Sequence, residues 1–472
     1  MLREKLKRGP ARVRVPMRGT GADDPVVTKK AVNAVGVKGI NGSVAFRKQP
    51  SDWEDWMKTT KSFDITQEVV REAWGRVKSN KGSAGVDAET IEKFEAKLEQ
   101  NLYKIWNRMS SGAYFPPPVR AVGIPKKTGG ERILGIPTVG DRVAQMVAKM
   151  YFEPCVEPHF DADSYGYRPN KSAIEAVRVT RERCWRNDWV LEFDIKKLFD
   201  TVDHELLMKV VKRHTDNKWI VLYVERWLKA PFIREDGTQI ERTQGTPQGG
   251  VISPVLANLI LHYVFDKWMR REFPYLPFCR YADDGVIHCK SERQAKYVYH
   301  MLVQRMKAWK LEIHPDKTRI VYCKDQNRLG EYENISFDFL GFTFRPRLSK
   351  NQWGKIFVNF TPAVSNDALK AIRAKARKSK MNLRCDKTLK DLSDFFNPIL
   401  RGWVNYYGNF CKSAMYPTLV HINRRLVKWA MRKHKRFRKN PKAARHWLGE
   451  IARREPKLFV HWQMGIYPAL ES

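Results

Sequence analysis

Two adjacent carboxylates, Asp283 and Asp284, stand in Tyr281-Ala-Asp-Asp284 between the apolar runs Phe278 to Tyr281 and Gly285 to Cys289. Asp-Asp before Gly is ordinarily no more than a turn joining two strands. A third carboxylate, Asp194, closes another short β-like run that begins at Val190. Three carboxylates drawn together from neighbouring strands repel one another unless a cation lies among them. Oxygen ligands of this hardness suit Mg²⁺, which keeps some of its waters and recruits substrate phosphates. A pair of such ions about 4 Å apart activates a hydroxyl nucleophile and stabilises the leaving oxygen of an in-line phosphoryl transfer. Joining nucleotides is chemistry of that kind.

The elements that must position these residues are legible from local signals. From about residue 190 the pattern runs strand, helix, helix, hairpin, helix, strand. Asp203 and Ser291 are placed to cap helices, the second running to about Trp309, and Ser253 with Pro254 reads as N-cap and first helical residue. Leu256, Leu259, Ile260, Tyr263 and Val264 form the stripe of the helix that follows. Two helices on one face of a small antiparallel sheet is the split β-α-β arrangement. Upstream, helical spacing through Val69, Val70, Trp74 and Val77 ends at the Gly-bearing loop Lys81 to Asp87. A second helix is expected over about Glu89 to Ser110. The runs Val119 to Pro125 and Arg132 to Pro137 flank Lys126-Lys-Thr-Gly-Gly130, a hairpin with a basic, glycine-rich tip.

Composition points to the partner. The chain carries 87 Lys and Arg against 51 Asp and Glu, a formal net charge of +36 over 472 residues, and so much self-repulsion calls for a polyanion. No run approaches the roughly 18 consecutive apolar residues of a membrane span, so no membrane role is expected. The seven cysteines include no C-x-x-C pair, against both a disulfide framework and a zinc ribbon. No apolar signal core follows the basic start, and Pro10 and Pro16 interrupt an organellar presequence, which leaves the cytoplasm as the expected compartment. Residues 1 to 50 hold 12 Lys or Arg, 3 acids and one aromatic, Phe46, and read as a flexible basic arm, with order expected from near Trp53 and Trp56. Residues 361 to 472 hold 25 basic and 7 acidic side chains. There, Leu419, Ile422, Leu426, Trp429 and Ala430 share one helical face, while Arg425, Lys428, Arg432, Lys435 and Arg436 share another. Trp403, Tyr406, Tyr407 and Phe410 have the spacing of a helix core rather than of a base-stacking platform.

Four blocks occur in the order and spacing of reverse transcriptase motifs: Phe193-Asp194-Ile-Lys-Lys-Leu-Phe199, Gln244-Gly-Thr-Pro-Gln-Gly-Gly250, Arg280-Tyr-Ala-Asp-Asp284 and Phe339-Leu-Gly-Phe342. The variant resembles the proteins encoded by bacterial group II introns. Further blocks carry that resemblance: Lys81 to Asp87, Arg132-Ile-Leu-Gly-Ile-Pro137, Tyr165-Gly-Tyr-Arg-Pro169, Arg401-Gly-Trp-Val-Asn-Tyr-Tyr407 and Leu458-Phe-Val-His-Trp462, so that it extends from about residue 60 to the end.

The resemblance implies an α+β right-hand polymerase followed by a helical thumb, or maturase, domain. After the arm, it divides the chain into an N-terminal extension with fingers (51–185), a palm (186–345), a thumb (346–435) and a basic nucleic-acid-binding segment (436–472). It implies Asp194, Asp283, Asp284 and the Ile195 carbonyl as ligands of two Mg²⁺ ions, and Lys317 as the acid that protonates departing pyrophosphate. Lys126, Arg132, Phe199, Gln248 and Gly249 would hold the deoxynucleotide, with Phe199 excluding a 2′-hydroxyl. Arg168 and the basic face centred on Arg432 would meet nucleic acid. The implied partners are group II intron RNA, an RNA template with a DNA primer, a DNA target and deoxynucleoside triphosphates; the oligomeric state is left open. A Cys- and His-bearing endonuclease domain, common at the end of such proteins, has no counterpart in this sequence, so neither zinc nor nicking by the chain is expected. Two alternatives remain open at this level: a domesticated relative serving repair or defence, and an RNA-binding splicing factor that does not polymerise.

Overall fold

The computed structural model describes residues 61–125 and 129–468. The expected basic arm, Trp53 and Trp56, and Lys126 lie outside the described residues. Helix α1 (Gln67–Asn80) starts where the Thr66 hydroxyl accepts from the Val69 amide, and it buries Val70, Ala73, Trp74 and Val77. The expected second helix is broken into α2 (Ile91–Glu95) and α3 (Leu98–Ser110). Phe94 stacks on Trp74 at 4.9 Å, and the Asn101 amide side chain donates to the Phe94 carbonyl at 3.0 Å. That carbonyl is thus satisfied outside a helical ladder, which lets the chain turn at Lys97.

Strands β1 (Val119–Pro125) and β2 (Glu131–Ile136) form the expected antiparallel hairpin, and α4 (Val139–Val156) runs back through the core behind it. Helix α5 (Ala173–Arg186) leads into β3 (Trp189–Asp194), followed by the short α6 (Leu198–Thr201), α7 (His204–His214) and α8 (Lys218–Lys229). Strands β4 (Phe232–Ile233) and β5 (Gln239–Ile240) extend the first sheet in the order β2-β1-β4-β5. Asp203 caps α7 as expected, its carboxylate accepting from the Leu206 amide at 2.9 Å.

Helix α9 (Ser253–Leu261) passes through a π-helical turn, His262–Asp266, into α10 (Lys267–Glu272). Ser253 does not cap it. The cap position is Ile252, and the Ser253 hydroxyl accepts from Thr246 at 2.7 Å, a tertiary bond that local sequence does not reveal. Strands β6 (Phe278–Tyr281) and β7 (Asp284–Cys289), helix α11 (Glu292–Ala308), capped by Ser291, and β8 (Arg319–Tyr322) complete a four-stranded antiparallel sheet. Its order is β6-β7-β3-β8. One face of β3 (Trp189, Leu191, Phe193) joins the core with α9, α11 and Phe265, while the other packs Val190 with Val286 and Val321. With α6 to α10 between β3 and β6 and α11 between β7 and β8, this is the α+β palm that the resemblance implies.

Strand β9 (Phe337–Phe339) pairs with the root of a long hairpin, β10 (Phe342–Lys350) and β11 (Ile356–Val364). The expected boundary at 345/346 therefore falls inside a strand. Helices α12 (Asn366–Lys378), α13 (Leu389–Tyr407), α14 (Tyr416–Lys433) and α15 (Pro441–Arg454) then enclose a separate core around Leu400, Leu426, Trp429, Leu448 and Trp462. Because Trp429 and Phe437 share that core with Leu448 and Phe459, residues 436–468 are packed into the helical unit rather than standing as a further segment. Tyr406, Tyr407 and Phe410 close on Phe342 at 5.4 to 5.6 Å, a packing role in keeping with their spacing. Among the described residues, no helix is long and apolar enough to cross a membrane.

Candidate active site

Asp194, the last residue of β3, lies in register with Asp284, the first of β7, and Tyr281 of β6 faces Asp284 across the turn. The turn is tight. Ala282 adopts a left-handed conformation (φ 55°), and a Cβ on Gly285 would lie 2.2 Å from the Phe193 ring, so only glycine lets β7 cross β3 there. The Ile195 amide donates to the Asp283 carbonyl at 3.2 Å, tying the two carboxylate-bearing segments together.

Electrostatics records the crowding. Burial pushes the Asp284 carboxyl up to about 7, reinforced by the charges of Asp283 and Asp194 and opposed by Lys317. Asp283 is also raised, by burial first and then by Asp194, against a backbone hydrogen bond, Arg132 and Lys317. Lys317 stands in the 3₁₀ turn Pro315–Lys317, which is tethered by the His314 amide to the Asp194 carbonyl at 2.8 Å. Its ammonium meets Asp194 Oδ2 at 2.6 Å. Burial opposes the charged form of Lys317, but the hydrogen bond to Asp194 and the three carboxylates outweigh it and hold the ammonium above its ordinary range.

Among the described residues, no three His, Cys, Asp or Glu side chains converge on one point as metal ligands. Asp194 is turned to Lys317 instead. The donor set nevertheless fits a hard divalent cation: every candidate ligand is an oxygen, and the burial and like-charge repulsion that raise Asp283 and Asp284 are costs that such an ion offsets.

The nucleotide-binding expectations gather nearby. Arg132, exposed on β2, donates from Nε to the Gln248 side-chain carbonyl, and Gln248 Nε2 donates to Asp200 at 3.4 Å. Phe199 is buried in α6 and lines a cavity of about 350 Å³ with Ile133, Phe232, Arg242 and Thr246. Gly249 has φ 129°, and a Cβ there would sit 2.3 Å from the Gly135 carbonyl oxygen. Its freedom therefore serves an approach between two protein segments, sealed by the Gly135 amide donating to the Gln248 carbonyl at 3.0 Å.

Arg168 is a correction. Its side chain is 7% exposed, paired with Glu157 at 2.8 Å and donating to the Asp161 and Ser164 carbonyls. A guanidinium consumed by its own loop has little left for a phosphate, so Arg168 is a structural residue. The basic face is altered as well. Lys428 and Arg432 are exposed on α14 and Arg425 is half-buried there, but the helix ends at Lys433. Lys435 and Arg436 lie in the following 3₁₀ turn, where Arg436 stacks on Phe437 at 4.6 Å.

The sequence reading missed one network. Arg280, fully buried in β6, donates to both oxygens of Asp266 at 2.8 and 2.6 Å, to Asn258 at 3.1 Å and to the Ala282 carbonyl at 3.2 Å. Asn258 passes the link on to the Gly166 carbonyl at 2.6 Å. Burial opposes ionisation of Asp266, but Arg280 outweighs it and holds the carboxyl below its ordinary range. The peptide leading into Asp283 is thus clamped from beneath. The available signal was an arginine inside the apolar run Phe278-Cys-Arg-Tyr281, since a charge in a buried strand requires a partner; nothing local identified Asp266.

Comparison with known proteins bears on this geometry. Residues 124–344 match the family model described as reverse transcriptase (RNA-dependent DNA polymerase), and residues 369–447 match the group II intron, maturase-specific domain. Protein YkfC of Escherichia coli is 32% identical, with 55% of this chain aligned to 79% of that protein. The group II intron-encoded protein LtrA of Lactococcus lactis is 34% identical over 43% of this chain and 34% of its own length. The putative COX1/OXI3 intron 1 protein of Saccharomyces cerevisiae is 33% identical over 57% of this chain and 32% of its own length. The alignments with these last two span about a third of each relative.

Proposed function

We propose, for a chain that belongs to the family of group II intron-encoded reverse transcriptases and maturases, that it copies RNA into DNA at the Asp194, Asp283 and Asp284 centre and assists splicing and retrohoming of an intron RNA held by its C-terminal helices. The single observation that carries the polymerase reading is the register that brings Asp194 opposite Asp284, with Asp283 in the intervening turn. Two Mg²⁺ ions bound by these carboxylates and the Ile195 carbonyl would supply activation of the primer hydroxyl and charge neutralisation at the transferred phosphate.

The chain's own residues supply the rest. Arg132, exposed on β2 and braced by Gln248, is placed to fork onto triphosphate oxygens. Phe199 offers a rigid aromatic wall at the nucleotide sugar, so that a 2′-hydroxyl meets a filled space. Gln248 and Gly249 set the floor beneath the nascent base pair. Lys317, whose ammonium lies 2.6 Å from Asp194, would be the acid that hands a proton to departing pyrophosphate. Lys428 and Arg432 give the helical unit exposed cations for RNA phosphates, with Arg425, Lys435 and Arg436 beside them. A DNA target, deoxynucleotides and residence in a bacterial ribonucleoprotein follow from the same reading.

The test is primer extension on an RNA template with a DNA primer, deoxynucleotides and Mg²⁺, comparing wild type with Asp283→Asn. Extension by the wild type alone supports the polymerase and its carboxylates together. If neither protein extends while both bind structured RNA tightly, a splicing factor without polymerisation takes its place.

A further inference from the structure

The β10/β11 hairpin departs from the rule that large apolar side chains are covered. Its nine residue pairs run from Phe342 with Val364 to Lys350 with Ile356, but β9 flanks only Phe342 to Phe344. The outer part is a two-stranded ribbon about 20 Å long, at roughly 3.3 Å per residue. From Arg345 outward to the tip and back to Asn359, no side chain is fully buried. Leu348, Trp353 and Ile356 are 77%, 81% and 66% exposed.

The tip is nonetheless built. Asn351 Oδ1 accepts from the amides of Trp353 at 3.0 Å and Lys355 at 2.9 Å, and Gly354, at φ 85°, donates to the Asn351 carbonyl at 3.0 Å. These bonds fix the loop that holds the indole out into water. Outside the hairpin, the Gln326 amide braces the ribbon at the Val358 carbonyl (3.1 Å), short of the tip; a two-stranded ribbon is marginal by itself, and ordering it to display tryptophan gains nothing unless something stacks there.

Charge selects the occupant. Residues 342–364 contain four basic side chains, Arg345, Arg347, Lys350 and Lys355, and no acid. A second copy would bring the same positive charge, and residues 1–50 are basic as well, so neither complements the tip. A phosphate backbone does, and an exposed indole flanked by cations takes a base lifted from its stack.

We propose that the Leu348–Trp353–Ile356 tip is a nucleic-acid-binding site outside the carboxylate centre, at which Trp353 stacks on an unpaired RNA base while Lys350 and Lys355 meet the flanking phosphates. It extends the functional reading without depending on polymerisation, since the test measures binding.

The full-length protein is titrated with two RNAs of equal length and charge, a perfect duplex and the same duplex carrying an unpaired loop with 4-thiouridine. Trp353→Ala is expected to weaken the looped RNA about tenfold, the scale of one lost base stack, and the duplex less than about twofold. Trp353→Phe is expected to retain most of the affinity and Trp353→Leu to lose it. Light-induced crosslinks in the wild type should map to the peptide spanning residues 348–356. Equal loss for both RNAs, no loss, or full retention by Trp353→Leu overturns the proposal. So does a tip variant that still binds looped RNA but no longer sediments with anionic vesicles, which would make the tip a membrane contact. A chain that extends no primer yet shows the Trp353-dependent preference fails the polymerase reading and leaves this one standing.

Discussion

Arg280 and Arg432 use the same guanidinium in opposite ways. Arg280 is sealed under the Ala282–Asp284 turn, with its donors spent on Asp266, Asn258 and the Ala282 carbonyl. Arg432 stands in solvent on α14, with one weak bond to the Asn382 carbonyl at 3.4 Å. The contrast extends to their surroundings. Around the palm sheet, charges are held at fixed positions, Arg280 against Asp266 and Lys317 against Asp194, because a phosphoryl transfer fails if its groups move by an ångström. Over residues 361–472, 25 basic side chains stand against 7 acids, and their number matters more than the position of any one. A polyanion binds to a field, whereas chemistry needs a geometry.

The contrast can be attacked at its strongest point first. Asp283→Asn should lower primer extension by at least about a thousandfold while template-primer affinity changes little, since the carboxylate acts on transition-state charge; gel-shift and extension assays on the same protein separate the two. Asp266→Ala, which never touches substrate, should cost about 3 to 5 kcal/mol of stability by stranding Arg280 in the core. Urea unfolding measures it, and a loss near zero would remove the distinction between placed and pooled charge.

Lys317→Ala should reduce extension about a hundredfold, with Lys317→Arg recovering part of it and shifting the pH profile of the rate, because an acid of higher pKa replaces the ammonium. In the helical unit, Lys428→Ala and Arg432→Ala should each weaken RNA binding only a few-fold. Each should also reduce the salt-dependence slope by about 0.7 to 1, and the effects should add. A hundredfold loss from either would show that this surface, too, is a placed site.

The smallest effect compares one buried histidine from each region. Burial pushes both His288 in β7 and His461 after α15 down to about 3. Each binds fewer protons folded than unfolded, so its contribution to stability is full above the ordinary histidine range near 6.5. It is lost as pH falls from there toward 3, by at most about 1.4 kcal/mol per pH unit for each group. His461→Gln and His288→Gln should each flatten that slope in unfolding titrations between pH 7 and 4. His461→Gln should cost less at neutral pH, because glutamine can still donate to Asn423 Oδ1, which now lies 2.7 Å from the imidazole Nε2.

Much of this was legible in the sequence because its causes are local. Alternation, turn residues and capping side chains marked β1 to β3, β6, β7, α7 and α11. The strand-like runs that end at Asp194 and flank Asp283-Asp284, together with the family resemblance those blocks carry, implied three carboxylates on neighbouring strands. What only the tertiary structure decided were matters of partnership. The sequence shows that Arg168, Ser253 and Gly249 can donate, cap or approach closely, but not toward what. Folding gave Arg168 to Glu157, Ser253 to Thr246 and Gly249 to the Gly135 carbonyl. The same holds for Asp266, an unremarked acid in a helix until a π-helical turn aims it at Arg280. A residue's own chemistry and its neighbours within a turn are written in the chain, but the atom that satisfies a side-chain donor is set by packing between segments far apart in sequence, as where the Trp185 indole donates to the Phe360 carbonyl.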